Sequence, residues 1–267
     1  MFKSLRQLWS RDGPLPQAAE IPDGERVYAI GDIHGECALF EALIGAIEAD
    51  DAARAAAETT VVLLGDLIDR GPRSADVIAA ARSWQARRQV RIILGNHEEM
   101  FLRSFMDLGT FRQFMVHGGR ETLLSYPIDG QAFNAATVEE AQLMMEQVVP
   151  DEDREFLENF EDFIVIGDYL FVHAGIMPGE PLLGQSPTTT RWIREPFLSH
   201  AEPHAHVVVH GHTIADAPVI AINRIGIDTG AYRSGRLTAI GLESREGWLI
   251  EAIAHDDGAI ETTTRAI

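Results

Sequence analysis

Three segments with the same layout follow one another early in the chain. Each is an apolar run that ends in a glycine and a polar cluster: RVYAI-GDIHG (26–35), VVLL-GDLIDRG (61–71) and VRIIL-GNHE (90–98). Apolar residues at helical spacing follow the first of them at Leu39, Leu43 and Ile47. Strands that alternate with helices predict a largely parallel sheet covered by helices. The carboxyl ends of such strands are where open α/β sheets bind ligands.

The middle of the chain is predicted to be helical over about residues 99–162. Thr137 and Glu140 have the spacing of a capping box before an apolar-faced helix. Between Glu139 and Asp162 there are ten acidic residues and one arginine. Such a run is typical of a solvated helical face, and a docking face for basic partners is the alternative.

The last third is predicted to be β-rich. Phe163–Ile166 and Tyr169–Val172 flank a Gly-Asp pair, which indicates a hairpin. Residues 178–190 are predicted to form a loop. Further short apolar runs lead into HGHT (210–213) and DTGA (228–231), and two more follow at Leu237–Leu242 and Trp248–Ala252. These short strands predict a second sheet, mixed or antiparallel.

Residues 1–25 are predicted to be an N-terminal leader that precedes a single domain over 26–267. Apolar residues of the leader share one helical face with basic residues around it: Phe2, Leu5, Leu8 and Trp9. We expect a short helix packed on the domain or a frayed tail, rather than a helix that docks on a membrane surface or a partner.

Composition excludes several classes of protein. The 267 residues carry 22 basic and 41 acidic side chains, a formal net charge of −19, which argues against nucleic acid as a partner. Lys3 is the only lysine, so a P-loop lysine or a Schiff-base lysine is excluded. Cys37 is the only cysteine, which fits a reducing compartment. With no long apolar run and no signal-peptide pattern, we expect a cytoplasmic protein without a membrane span.

Aspartate, asparagine and histidine recur where the predicted strands end. Five segments place such residues at one edge: Asp32, His34, Asp66, Asp69, Arg70, Asn96, His97, His173, His210 and His212. Imidazole and carboxylate together suit Zn, Mn or Fe, and there are too many ligands for one tetrahedral ion. The pattern therefore predicts two divalent ions that share a carboxylate, an arrangement that serves phosphoryl transfer.

The order GDIHG, GDLIDRG, GNHE, HAG and GHT resembles the metallophosphoesterase superfamily, and within it the bacterial and phage branch of the phosphoprotein phosphatases. The resemblance covers roughly residues 26–245. It implies a fold of two central mixed β-sheets flanked by helices, an α/β sandwich of the calcineurin-like type. It also implies two divalent metal ions, with Mn favoured and Fe or Zn as alternatives.

The resemblance implies a role for each matching residue. Asp32 and His34 would bind the first metal, Asp66 would bridge both, and Asn96, His173 and the histidine of GHT would bind the second. That histidine is His212, with His210 as its nearest competitor.

The same resemblance implies the residues that act on the substrate. A hydroxide that bridges the metals would attack phosphorus, and His97 would protonate the leaving group. Asp69 would orient His97 and favour its charged form, while Arg70 and Arg194 would hold phosphate oxygens. Three other arginines are weaker candidates for substrate contact: Arg73, Arg191 and Arg233.

The function implied first is a phosphatase that acts on phosphoserine and phosphothreonine in proteins. The alternative is a nucleotide hydrolase similar to the symmetrical diadenosine tetraphosphatases, with a small phosphoester as substrate. Asp69 before Arg70, and GNHE rather than GNHD, favour the phosphatase. A third possibility is an inactive metal-binding module, and the sequence does not fix the oligomeric state.

Overall fold

The computed structural model describes residues 19–267. The predicted leader helix lies outside the described residues, and the division into leader and domain stays a prediction. Of the leader, Ile21 is fully buried against the domain. Among the described residues, no helix is long and apolar enough to cross a bilayer.

The first sheet has six strands in the order β11-β10-β9-β1-β2-β3. Its parallel half is formed by β1 (Glu25–Ile30), β2 (Glu58–Leu63) and β3 (Val90–Ile92). Its antiparallel half is formed by β9 (Arg236–Glu243), β10 (Glu246–Ala254) and β11 (Ile260–Ala266). The expectation that the late strands all belong to a second sheet is therefore wrong, because β9 and β10 extend the first sheet beyond β1 and β11 forms its edge.

The second sheet has the order β4-β5-β6-β8-β7. Its strands are β4 (Phe163–Ile166), β5 (Tyr169–Val172), β6 (Val207–His210), β7 (Val219–Ile220) and β8 (Arg224–Gly226). β4 and β5 form the predicted hairpin, and β5, β6 and β8 run parallel. Both sheets are mixed, as the fold class required.

The two sheets pack face to face. Because successive side chains of a strand point to opposite faces, a strand contributes alternate residues to two different cores. From β1, Val27 and Ala29 face the core between the sheets, where they meet Phe171 of β5. Tyr28 and Ile30 face the opposite side, which is covered by helices. These helices are α1 (Cys37–Ala53) and α2 (Ser74–Gln85).

The helical segment predicted for 99–162 is present. It begins with α3 (Asn96–Ser104), α4 (Leu108–Phe114), a π-helical turn (Met115–Gly119) and α5 (Arg120–Leu124). It continues with α6 (Gly130–Ala135), α7 (Val138–Val148) and α8 (Asp151–Glu158). The capping box is confirmed, since Thr137 and Glu140 bond each other's backbone N–H.

Two short helices complete the fold. α9 (Pro187–Trp192) lies where a loop was predicted, and α10 (Ala231–Ser234) follows the DTGA segment. The loop prediction is wrong there because two local features favour a helix. The hydroxyl of Ser186 accepts a hydrogen bond from the backbone N–H of Thr189, and Pro187 occupies the first helical position. Most of the acidic side chains of 139–162 are exposed, but Asp153 is buried and accepts a hydrogen bond from Tyr126.

Candidate active site

The predicted site residues come together where the strands end, and their backbone is unusual. Within residues 19–267, six non-glycine residues have a left-handed φ, and five of them are predicted site residues: His34, Asp66, Asp69, Arg70 and His212. Residues other than glycine are sterically strained in this region of φ. Residues strained in this way are concentrated at functional sites. The loops after the strands thus hold these side chains in fixed, strained directions.

Asp66 lies at the centre of the cluster. Its Oδ2 is 3.6 Å from Nε2 of His34 and 3.5 Å from Nε2 of His173. Its other oxygen accepts a hydrogen bond from the backbone N–H of His97 at the start of α3 (3.0 Å). Two groups with the spacing of metal ligands share this one carboxylate: His34, Asp66 and His97, and Asp66, His173 and His212. The sharing is the geometry that a two-ion centre requires.

Backbone carbonyls set the tautomers of two of these histidines. His34 donates its Nδ1–H to the carbonyl of Ile68, and His173 donates its Nδ1–H to the carbonyl of Leu64, both at 2.8 Å. Each ring therefore presents a bare Nε2 towards Asp66. A hydrogen bond on the far nitrogen is the usual way in which a protein orients a histidine towards a metal ion.

The geometry separates His212 from His210. Nδ1 of His212 lies 2.9 Å from Oδ1 of Asn96, and Oδ1 of Asn96 is also 2.9 Å from Nε2 of His173. The ring of His210 instead packs edge-on against Phe197, 5.1 Å between centroids. The structure brings His212 into the cluster and leaves His210 outside it, because the left-handed φ of His212 turns the chain away from the strand.

Asp32 is connected to the cluster by a hydrogen bond with the backbone of His212. Its carboxylate accepts a hydrogen bond from the backbone N–H of His212 (3.0 Å), and its Oδ2 lies 4.0 Å from Nε2 of His34. A Cβ on Gly211 would fall 2.0 Å from Asp32 Oδ1, so only glycine fits at that position.

His97 and Asp69 form the hydrogen bond that was expected, 2.6 Å between Nδ1 and Oδ2. Asp69 is fixed in turn by Thr122, whose hydroxyl donates to Oδ1 at 2.6 Å. Burial lowers the pKa of His97 well below its ordinary value, and the charge of Arg70 adds to this effect. Burial and the guanidinium thus act against the charged form of His97 that is expected from its hydrogen bond with Asp69, and that charged form stays a prediction.

Arg70 reaches across the site. Its guanidinium donates to Nε2 of His34 (2.7 Å) and to Nε2 of His97 (3.0 Å), and it stacks over the ring of Tyr232 at 4.8 Å. Both imidazoles accept these bonds at Nε2, so both are neutral with the proton on Nδ1. A guanidinium at this place presents a fork of donors to an anion.

The other arginines occupy different surroundings. Arg194 is exposed, and its positive charge helps to lower the pKa of the neighbouring His212, which burial brings to about 2. Arg191 is instead paired with Glu99 and Asp162, and Arg73 with Asp76. Arg233 is exposed on α10, and its charge partly offsets the rise that burial causes in the pKa of Asp228. Two of these four act on histidines of the cluster: the charge of Arg194 lowers the pKa of His212, and the charge of Arg191 helps to lower the pKa of the buried His173.

Three residues of the site were not among the predicted ones. Glu98 is fully buried and accepts hydrogen bonds from the backbone N–H groups of Asp66 (2.9 Å) and Leu67 (2.7 Å), so it holds the GDLID loop in place. Asp228 is buried beside Asp32, and Tyr232 packs edge-on against His34. Glu98 is the glutamate of the GNHE motif, so the sequence pointed to its position. Its role was missed because its hydrogen-bond partners lie about 30 residues earlier in the sequence.

The carboxylates and imidazoles of this cluster are suited to binding metal cations. Burial and the nearby charge of Asp228 and Asp66 raise the pKa of Asp32 well above its ordinary value, and burial and Glu98 do the same for Asp66. Burial raises the pKa of Asp228 to about 6. Nδ1 of His212 and Nε2 of His173 both lie 2.9 Å from Oδ1 of Asn96, so three potential ligand atoms converge on one place. Buried carboxylates that repel one another beside neutral imidazoles are the donor set that divalent ions take.

The comparisons with known proteins agree with this geometry. The calcineurin-like phosphoesterase family matches residues 25–218, so the chain belongs to that family and is a metallophosphoesterase, a hydrolase. The chain is 27% identical over 236 residues to the asymmetrical bis(5′-nucleosyl)-tetraphosphatase PrpE of Anoxybacillus flavithermus, which spans 79% of this chain and 88% of that protein.

Two further proteins are similar. A symmetrical bis(5′-nucleosyl)-tetraphosphatase of Hamiltonella defensa is 39% identical over 71 residues, 27% of this chain and 23% of that protein. A solved structure of a candidate diadenosine tetraphosphatase superposes with a TM-score of 0.57 at 20% identity and covers 94% of this chain and 96% of that chain. The last comparison shows a shared fold: two mixed sheets flanked by helices.

Proposed function

We propose that this protein hydrolyses bis(5′-nucleosyl) tetraphosphates at a two-metal centre built around Asp66. The observation that supports it best is the similarity along most of the chain to a bis(5′-nucleosyl)-tetraphosphatase, 88% of whose length is matched. The sequence motifs alone favoured a protein phosphatase, and the curated relatives favour the alternative.

The metal centre is proposed as follows. Asp32 and His34 hold one ion, Asp66 touches both, and Asn96, His173 and His212 hold the other. Manganese is the ion we expect, since imidazole, amide and carboxylate oxygen together accept Mn, with Fe and Zn as alternatives. When bound, the two ions supply a nucleophile at neutral pH and neutralise charge on the phosphate.

Arg70 and Arg194 are proposed to bind the phosphate oxygens of the substrate. The guanidinium of Arg70 already lies within hydrogen-bond distance of His34 and His97, so a phosphate there would meet its two parallel N–H groups. Arg194 approaches from the His212 side. The two arginines would supply the positive side chains for the anion, in a chain that has no lysine among its described residues.

His97 is proposed to protonate the leaving oxygen. Asp69 holds the Nδ1–H of His97, which leaves Nε2 as the atom that faces the substrate. In its present bond with Arg70, Nε2 is an acceptor, so it takes up a proton only when the guanidinium turns to the phosphate. The charge of the bound phosphate would then favour the protonated ring.

The Asp69–His97 pair supports a second candidate function, a phosphatase for phosphoserine and phosphothreonine. An alkoxide is a much stronger base than a nucleotide phosphate, so its departure gains more from a positioned acid. An oriented imidazole is therefore of greater use in cleaving a phosphomonoester than in cleaving a phosphoanhydride.

One comparison separates the two functions. Metal-free protein is reloaded with Mn²⁺ and assayed on diadenosine tetraphosphate and on a phosphoserine peptide, with the nucleotide products identified by chromatography. We expect a higher kcat/KM for the dinucleotide, and none of this activity in an Asp66→Asn control prepared in parallel. Dephosphorylation of the peptide without cleavage of the dinucleotide would establish the phosphatase instead.

A further inference from the structure

A groove of about 460 Å³ runs along α3 next to the candidate active site. One wall is α3, with Met100 and Arg103, and the opposite wall is α9, with Thr188 and Trp192. Gln113 of α4 also lines the groove. The volume is within the range of small-molecule sites, about 300–1,000 Å³.

The helix that lines one side of the groove, α3, begins at the metal-ligand cluster with Asn96. Asn96, Met100 and Arg103 lie at i, i+4 and i+7 of α3, so they share one helical face. With a rise of 1.5 Å per residue, Met100 lies about 6 Å and Arg103 about 10 Å along the axis from Asn96. A ligand that fills the groove therefore starts about one helical turn from the site of hydrolysis.

The opposite wall is tied to the same cluster. The carbonyl of Thr190 in α9 accepts a hydrogen bond from the backbone N–H of Ala174, the neighbour of His173 (2.8 Å). Two residues beyond Trp192, Arg194 approaches His212. Both walls of the groove are thus continuous with residues that we place in the active site.

The side chain of Trp192 is fixed in position with part of its ring exposed to solvent. Its Nε1–H donates to Oε2 of Glu99 (2.8 Å), and Glu99 is itself paired with Arg191 (3.2 Å), so the indole has a fixed direction. The side chain is 37% exposed, in contrast to the buried Trp84 and Trp248. A fixed, half-open indole beside a phosphate site is a platform for a planar base, because every base can stack on an aromatic ring.

We propose that the groove binds a nucleoside of the substrate, with its base stacked on Trp192 and the side chain of Gln113 within reach of polar atoms on the base. Arg103, whose side chain is 70% exposed and lies 3.5 Å from Glu99, stands at the far end of the groove, beyond the stacked base. This inference rests on the proposed function, because only a nucleotide substrate brings a base to the groove.

The kinetic test compares a substrate that has a base with one that has none. The Trp192→Ala variant should show a KM for diadenosine tetraphosphate about tenfold higher than that of the wild type, the loss expected for one stacked base. Its KM for p-nitrophenyl phosphate should change less than twofold, and Trp192→Phe should restore most of the affinity. Leu183→Ala, an exposed apolar residue away from the groove, is the matched control. Equal KM values in wild type and Trp192→Ala, or equal increases for both substrates, would overturn the inference.

A binding test keeps the inference separate from the proposed function. Adenosine monophosphate should quench the tryptophan fluorescence of the Mn²⁺-loaded wild type, and ribose 5-phosphate, which has a phosphate but no base, should not. The quenching should vanish in Trp192→Phe. Protein that binds the nucleotide but cleaves only phosphopeptides would refute the proposed function alone. Cleavage of diadenosine tetraphosphate without base-dependent quenching would refute the nucleoside groove alone.

Discussion

Asp69 and Arg70 both have left-handed backbone dihedrals, one directly after the other, with φ of 74° and 71°. The strain points the two side chains in different directions, Asp69 to the imidazole of His97 and Arg70 across the site to His34. Two neighbouring residues can thus serve two functions, orientation of an acid and contact with an anion. A relaxed strand would also place neighbours on opposite sides, but it could not turn both of them into one cavity.

Replacement of His97 tests its proposed role as a proton donor. His97→Asn should reduce kcat for a phosphoserine peptide by about 10²–10⁴-fold, because an alkoxide leaves poorly without a proton. The loss for p-nitrophenyl phosphate should be much smaller, since that leaving group is a weak base. The measurement is kcat on both substrates, with metal content determined alongside, which should stay at the wild-type value. Equal losses on the two substrates would exclude His97 as the acid.

At the residue scale, the motifs predicted the polar cluster well and its internal contacts poorly. Asp66 and His173 stand in recognisable motifs, so the sequence could bring them to one edge. The roles of Glu98 and Thr122 depend on hydrogen bonds across 32 and 53 positions. A local sequence pattern cannot predict these hydrogen bonds, because they depend on the order of the strands in the whole sheet.

At the scale of elements, the π-helical turn (Met115–Gly119) connects the helical segment to the active site. The carbonyl of Gly118 accepts a hydrogen bond from the backbone N–H of Arg70 (3.1 Å), and its φ is 111°. A Cβ at Gly118 would lie 2.6 Å from that nitrogen. The turn therefore holds Arg70 in place, in keeping with the frequent occurrence of π-bulges at functional sites.

Gly118→Ala tests this contact. The variant should unfold about 1–2 kcal/mol more easily, because the left-handed backbone is costly for a residue with a side chain. It should also show a raised KM for phosphate substrates, as Arg70 is displaced. Gly45→Ala is the control: Gly45 is exposed in the middle of α1 with open space around it, so the change should stabilise by about 1 kcal/mol. Urea unfolding and KM of both variants check the prediction, and an unaltered Gly118→Ala enzyme would contradict it.

The sequence predicted the early elements better than the late ones. The three β–loop–α units are local, with apolar strands and clear helical spacing, and they are confirmed. β9 and β10 were expected outside the first sheet, because the pairing of β9 with β1 joins residues more than 200 positions apart. β11 was missed as a strand because its sequence IETTTRA has little apolar character and forms an exposed edge.

At the scale of the whole molecule, the chain has a formal net charge of −19, and its few basic residues include one buried arginine. One network links the helix and strand layers: Arg26, which is 1% exposed, pairs with Asp51 (2.7 Å) and with Glu243 (2.8 Å). Burial alone would raise the pKa of Asp51, but hydrogen bonds from Arg26, Thr59 and Arg88 lower it below its ordinary value.

The lowered pKa makes a prediction for acid stability. A carboxyl whose pKa is lower in the folded chain stabilises fully above its ordinary value of 3.8 and loses that contribution as the pH falls through its folded pKa. The urea midpoint of the wild type should therefore fall more steeply between pH 5 and pH 3 than that of Asp51→Asn. Parallel curves for the two proteins would show that this carboxylate does not contribute to the pH dependence.

The central claim is that one carboxylate, that of Asp66, is shared by two metal ions. Elemental analysis of protein loaded with Mn²⁺ and then desalted tests it most directly. The account predicts two ions per chain in the wild type, and a loss of metal in Asp66→Asn. Asp153→Asn, which alters a buried aspartate bonded to Tyr126 away from the cluster, should keep both ions. Two tightly bound ions in Asp66→Asn, or a single ion in the wild type, would contradict it.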